Sequence, residues 1–150
     1  MVQAGEFVLH IDSDDHADVI RELAQALDAI ANVYTCCAGT IIFHQGQTAD
    51  GVLVIREGKV RLSALSHDVD PPVPYRTAGP GYVLGLPALF SGQPYSLTAE
   101  AVEDCVCGFV ARDQALELIR KRLDLCFQAT DLLAREIRSL REWQAAHLGV

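Results

Sequence analysis

Between Val33 and Val110 the chain breaks into short apolar runs of strand length, each closed by glycine, proline or polar residues. Few architectures accept such a rhythm. Candidate strands are Val33–Cys37, Thr40–His44, Gly51–Arg56, Lys59–Leu65, Tyr75–Ala78, Tyr82–Leu84, Tyr95–Ala101 and Cys105–Val110. The breaks are His44-Gln45-Gly46-Gln47, Arg56-Glu57-Gly58-Lys59, a polar, proline-rich loop at Ser66–Pro74, and Gly79-Pro80-Gly81. Glu57-Gly58 reads as a tight hairpin in which Gly58 supplies positive φ. About eight strands in fewer than eighty residues predict a mainly β protein, an eight-stranded jelly-roll β-barrel.

Helices are expected on both sides of the barrel. Asp12-Ser13-Asp14-Asp15 offers capping oxygens and negative charge to a helix start. The following residues place Ile20, Leu23, Ala24, Leu27, Ile30 and Ala31 on one stripe and Asp18, Arg21, Glu22, Gln25 and Asp28 on the other face. Upstream, Phe7, Leu9 and Ile11 alternate as an edge strand would. After the barrel, Ala111–Ile119 forms a short helix and a long one runs from about Arg122 to Ala146. Along it Cys126, Ala129, Leu133, Ile137, Leu140 and Gln144 recur at spacings of three and four. Such a near-heptad seam either packs on the chain's own barrel or pairs with a second copy of itself, and pairing is the expectation because it uses both stripes. Leu133, Ile137 and Leu140 are the expected dimer contacts, and Trp143 needs cover. The expected organisation is a leader at 1–16 and one domain at 17–150, with its dimerisation helix at about 121–147.

Net charge is -8 and no basic run occurs, the wrong balance for a domain that grips phosphate backbones by itself. There is no charged leader before an apolar block and no apolar run of bilayer length. A cytoplasmic protein without membrane contact is expected. Five cysteines, an odd number, argue for free thiols over a disulfide framework.

The segment GPGYVLGLPALFSGQPYSLTAEA, Gly79–Ala101, joins a permissive glycine (Gly85), a one-turn helix at Leu86–Phe90 and a returning strand. That geometry suits a small anion held on backbone donors; an ordinary inter-strand turn is the alternative. The segment resembles the phosphate-binding cassette of the cyclic-nucleotide-binding domain family. AGTIIFHQGQTADGVLVIREGKVRLS (Ala38–Ser63) is similar to that family's opening hairpins. ARDQALELIRKRLDLCFQATDLLAREIRSL (Ala111–Leu140) resembles the helices that follow in Crp/Fnr-like transcription regulators. The likeness spans roughly residues 17–145.

The resemblance assigns the pocket to Gly85, Leu86, Pro87, Ala88, Tyr95 and Ser96. It also exposes departures. Family members that bind cyclic AMP or cyclic GMP carry an acidic residue for the ribose hydroxyl where this chain has Leu86. They carry an arginine for the cyclic phosphate where it has Tyr95. Leu86 accepts no hydrogen bond, Tyr95 offers one neutral hydroxyl, and Pro87 lacks an N–H. Losing both grips costs a few kcal/mol, about 100- to 10,000-fold in affinity. The family's regulators continue into a DNA-reading helix-turn-helix, whereas this chain stops after the long helix at Val150, so no direct DNA binding is expected.

Cys105 and Cys107 lie two apart on a strand and share a face. In this fold the first roll strand lies beside the last, which brings Cys36 or Cys37 near them. Such a thiol cluster has the ligands of a zinc or iron–sulfur site or of a redox switch; buried structural cysteines are the alternative. His10, His16, His44, His67 and His147 have no shared metal-site spacing. Ser66-His67-Asp68 is contiguous and cannot converge as a triad. No cofactor and no catalysis is predicted. The expected function is a stand-alone sensory or regulatory domain, homodimeric, signalling to a protein partner and not binding cyclic AMP or GMP in the family's usual way. The alternatives are a thiol-based redox or metal sensor, and an interaction domain with a filled pocket.

Overall fold

The computed structural model of the protein describes residues 18–66 and 69–147. The expected edge strand at Phe7–Ile11, the acidic cap at Asp12–Asp15 and the Ser66-His67-Asp68 run fall wholly or partly outside these residues. Helix α1 (Arg21–Ala29) precedes strands β1 (Asn32–Cys36), β2 (Ile41–Phe43), β3 (Gly51–Glu57), β4 (Val60–Ser66), β5 (Val69–Ala78) and β6 (Val83–Leu84). Then come α2 (Leu86–Ser91), β7 (Thr98–Ala101), β8 (Cys105–Ala111), α3 (Arg112–Lys121) and α4 (Leu123–His147).

The strands form two antiparallel four-stranded sheets, ordered β1-β8-β3-β6 and β2-β7-β4-β5. In β3 the apolar run is continuous because both faces are covered. Leu53 and Ile55 point into the barrel; Val52 and Val54 point toward the helices. Two cores result, one inside the roll and one between its outer face and α1, α2, α3 and α4. The β3–β4 hairpin turns at Gly58, whose φ of +98° no side chain adopts easily; a Cβ there would also meet the Asp104 carbonyl oxygen at 2.5 Å.

Ile20, Leu23, Ala24 and Leu27 of the predicted N-terminal stripe are buried as expected. Ile30 is not: α1 ends at Ala29, the helical phase stops, and Ile30 is 45% exposed. The predicted loop at Ser66–Pro74 is largely strand, with β5 beginning at Val69 and pairing with β4. β5 is the last strand of its sheet, and Pro71 and Pro72 fall where its register with β4 shifts between the Ala64–Val73 and Ser66–Val69 pairs, so the prolines interrupt little regular ladder. In contrast, Tyr95 precedes the strand expected to contain it. Its backbone is instead held by the 44–47 turn, the Tyr95 N–H donating to the Gln47 carbonyl (3.0 Å) and the Tyr95 carbonyl accepting from the Gly46 N–H (2.8 Å).

Helix α4 uses more than one face. Leu125, Ala129 and Leu132 are buried in the outer, helical core, whereas Trp143, eleven residues after Leu132, enters the barrel core. The seam predicted for pairing is therefore divided: Ala129 belongs to the domain's own core, Leu133 and Leu140 are half-buried, and Ile137 is exposed. Trp143 packs edge-on to Tyr75 (5.3 Å, 72°) and its indole N–H donates to the Pro74 carbonyl (3.1 Å). Among the described residues no helix is long and apolar enough to cross a membrane.

Trp143→Ala should destabilise the domain by about 3–5 kcal/mol, read as a lower denaturant midpoint. An unchanged midpoint would show that α4 does not depend on this anchor.

Candidate ligand-binding site

A cavity of about 100 Å³ opens between the inside of the roll and α4. Phe43 of β2, Leu62 of β4, Tyr75 of β5 and Leu84 of β6 form its apolar wall. The segment joining β6 to β7 contributes Gly85, Pro87, Ala88, Tyr95, Ser96 and Leu97, and α4 contributes Glu136, Ile137 and Leu140. Of the pocket residues predicted from the sequence, all but Leu86 meet here. Helix α2 turns Ala88 to the cavity and Leu86 to the helical core, where Leu86 is fully buried. A carboxylate at this position would enter that apolar core.

Tyr95 determines the geometry of the cassette. Its ring stacks on Phe43 with centroids 3.8 Å apart and planes 14° from parallel. Its hydroxyl donates to the Gly51 carbonyl of β3 at 2.7 Å. The ring also lies against Gly85, where φ is +89° and an added Cβ would sit 2.9 Å from Tyr95 Cε1. Gly85 is thus required twice, for a left-handed backbone and for the close approach of the phenol. Burial pushes the Tyr95 hydroxyl above its ordinary pKa, so it stays a neutral donor. Ser96, beside it, is exposed at the rim.

A buried polar cluster ties this wall to α4. Arg76 Nη1 lies 3.2 Å from Glu136 Oε2 and 3.3 Å from the Tyr82 hydroxyl, which itself donates to Glu136 at 2.9 Å. Burial, then the Glu136 charge, raises the Tyr82 hydroxyl well above its usual pKa. Burial opposes the Arg76 charge, but Tyr82, Tyr75 and Glu136 outweigh it and the guanidinium pKa is raised. The Tyr75 hydroxyl is buried near Ser139 and makes no hydrogen bond of ordinary geometry among the described residues. None of Phe43, Tyr75, Arg76, Tyr82 or Glu136 stood out in the sequence as a site residue. The one available signal was Arg76, a cation inside an apolar strand.

The cysteines divide. Cys36 faces Cys105 directly across the β1–β8 ladder, and Cys107 is the next residue on the same face. Cys37 lies beyond the end of β1 and is exposed; all five cysteines are free. Burial raises the pKa of Cys36 and Cys105. It pushes Cys107 up to about 12, helped by the neighbouring Cys105 and Cys36. These thiols are protonated at neutral pH. Among the described residues no group of three or more His, Cys, Asp or Glu is placed to hold a metal ion.

Residues 35–122 match the sequence model of the cyclic nucleotide-binding domain. No curated protein matches the chain. Among solved structures it is similar to the Catabolite Activator Protein of Thermus thermophilus, with a TM-score of 0.72 and 26% identity over 83% of this chain. The chain spans only 58% of that protein's length. It is similar also to the N-terminal domain of a transcriptional regulator from Streptomyces coelicolor (TM-score 0.62, 24% identity, 81% of this chain and 83% of that one). A third likeness, in fold, is to the EAL enzyme Bd1971 in a cyclic GMP-bound form (TM-score 0.58, 22% identity, 77% and 29%). The matched span runs from within β1 to the end of α3 and takes in most of the roll and the whole β6–β7 segment. On that ground the chain belongs to the cyclic nucleotide-binding domain family.

Proposed function

We propose that the chain is a non-catalytic sensory or regulatory domain whose cassette does not take a cyclic nucleotide in the family's usual way. The observation that carries this reading is the Tyr95 phenol, packed against Gly85 and bonded to the Gly51 carbonyl. A cyclic phosphate would need that volume and a cation beside it, and Tyr95 supplies neither. Leu86, turned into the helical core, makes no contact with a ribose. A ligand in the cavity acts on Glu136, Ile137 and Leu140, so its signal passes to α4 as a shift in how that helix sits on the barrel.

The same reading gives α4 a second role as a homodimer helix. Leu123, Phe127 and Ile137 are 70%, 65% and 53% exposed, an outward apolar row that a second copy would cover. With a net charge of -8, output goes to a protein partner in the cytoplasm rather than directly to DNA. The alternative of an interaction domain with a filled pocket is disfavoured by the cavity beside α4 and would show no ligand response. A redox sensor finds support in the Cys36–Cys105 juxtaposition but not in thiols held protonated by burial.

Titration calorimetry of the protein with cyclic AMP and cyclic GMP should show no micromolar binding, and Tyr95→Arg should create measurable affinity. Micromolar binding to the unaltered protein would overturn the reading. Ile137→Asp should convert a dimer to a monomer in light scattering; a mass that does not change removes the proposed interface. Maleimide at neutral pH should label Cys37 well before Cys105 and Cys107. Fast labelling of Cys107 would restore the thiol-sensor alternative.

A further inference from the structure

We infer that Cys36 and Cys105 are a latent disulfide, a modification site at which a small disulfide such as oxidised glutathione locks strand β1 to β8. Neither residue lines the cavity, so the site is independent of the ligand reading.

The two residues oppose each other directly in the antiparallel β1–β8 ladder. Such pairs have Cβ atoms about 4.5–5.5 Å apart, and a disulfide takes about 3.5–4.5 Å. Closure therefore needs backbone that can give slightly. Cys36 is the last residue of β1 and Cys105 the first of β8, so the end of a ladder moves and not its middle.

Neighbouring contacts already hold these ends together. The Ala38 N–H donates to the Asp104 carboxylate (2.9 Å), and the Gly39 N–H donates to the Ala101 carbonyl (2.7 Å). The thiols also share a hydrogen bond, which favours the thiolate of Cys36 and disfavours that of Cys105. The other thiols are less well placed. Cys107 opposes Tyr34, and Cys37 lies beyond the end of β1.

Exposure sets the order of attack. Cys36 is half-buried on a strand with no neighbour on its outer side among the described residues, whereas Cys105 is 2% exposed. The Cys36 thiolate attacks one sulfur of oxidised glutathione, forming a mixed disulfide and expelling one glutathione thiolate. The Cys105 thiolate then attacks the Cys36 sulfur, the protein S–S bond forms, and the second glutathione leaves as thiolate. Two electrons pass to the oxidant, and the two protons lost by the protein end on the two glutathiones.

Burial raises the pKa of both thiols. It slows the first attack, and it makes each sulfur a poor leaving group, so the closed bond also reopens slowly. The pair is a slow lock and not a fast sensor. In a reducing cytoplasm it stays open; a sustained rise in oxidised glutathione closes it.

The reduced full chain is incubated without oxygen in excess oxidised glutathione at mildly alkaline pH, quenched in acid, alkylated and digested. Mass spectrometry should find a linked peptide pair whose fragment ions place the bond between Cys36 and Cys105. Amide exchange across β1 should be slower in the linked protein than in the reduced one. Cys105→Ser should stop at the mixed disulfide, with one glutathione on Cys36. A bond from Cys36 to Cys37 or Cys107 overturns the inference. So does glutathione retained on Cys36 beside a free Cys105 in the unaltered protein, or no loss of either thiol. Unchanged β1 exchange in the linked protein overturns the lock, and a folded Cys105→Ser chain without glutathione on Cys36 overturns the order of attack. The bond assignment uses the unaltered protein, so it holds even if Cys105→Ser fails to fold.

Discussion

Tyr95 donates its hydroxyl to the Gly51 carbonyl, stacks its ring on Phe43 and closes on Gly85. Three parts of the roll, namely β2, the start of β3 and the β6–β7 segment, are fixed relative to one another by that one side chain. Its backbone is pinned independently, by paired hydrogen bonds to the 44–47 turn, so the ring has little freedom to leave. A surface tyrosine could rotate away from an arriving anion; this one would give up a buried hydrogen bond and an aromatic stack to do so. On the proposed reading, the family's cassette is kept as a backbone shape and lost as an anion site.

The other end of the cavity is governed by α4. Arg76, Tyr82 and Glu136 are joined by charge-assisted hydrogen bonds between the barrel and the helix. Removing either charged member, Arg76 or Glu136, takes from the other its buried opposite charge, at a cost of about 3–5 kcal/mol. Two turns further on, Trp143 clamps the helix to β5. Between these fixed points Ile137 and Leu140 border the cavity, which makes this stretch the natural place for an occupant to be felt. On the outer side of the same helix Leu123, Phe127 and Ile137 are exposed.

Much of the fold could be read from the sequence because period and burial agree. The GVLVI run of β3 and the alternation around Cys105 and Cys107 follow directly from two covered faces and from strand pleat. Gly58 and Gly85 marked real left-handed positions. Strand β5 was hidden because prolines normally break a strand; its edge position and its register shifts against β4 make them harmless. The direction of Leu86 depends on the left-handed turn just before it and on what α2 packs against, neither of which has a local signature. The Arg76–Glu136 bond joins residues sixty positions apart, and Glu136 looks in the sequence like any solvated helix charge. Nor can period alone say which of two apolar stripes on α4 meets its own barrel; the bulk of Trp143 and the space beside Tyr75 settle that.

The central claim is that a phenol ring stands where the family holds its cyclic phosphate. Its most direct test is a crystal structure grown in excess cyclic AMP. The account predicts Tyr95 hydrogen-bonded to the Gly51 carbonyl and no nucleotide against Gly85. A nucleotide seated in the cassette with the Tyr95 ring displaced would contradict it.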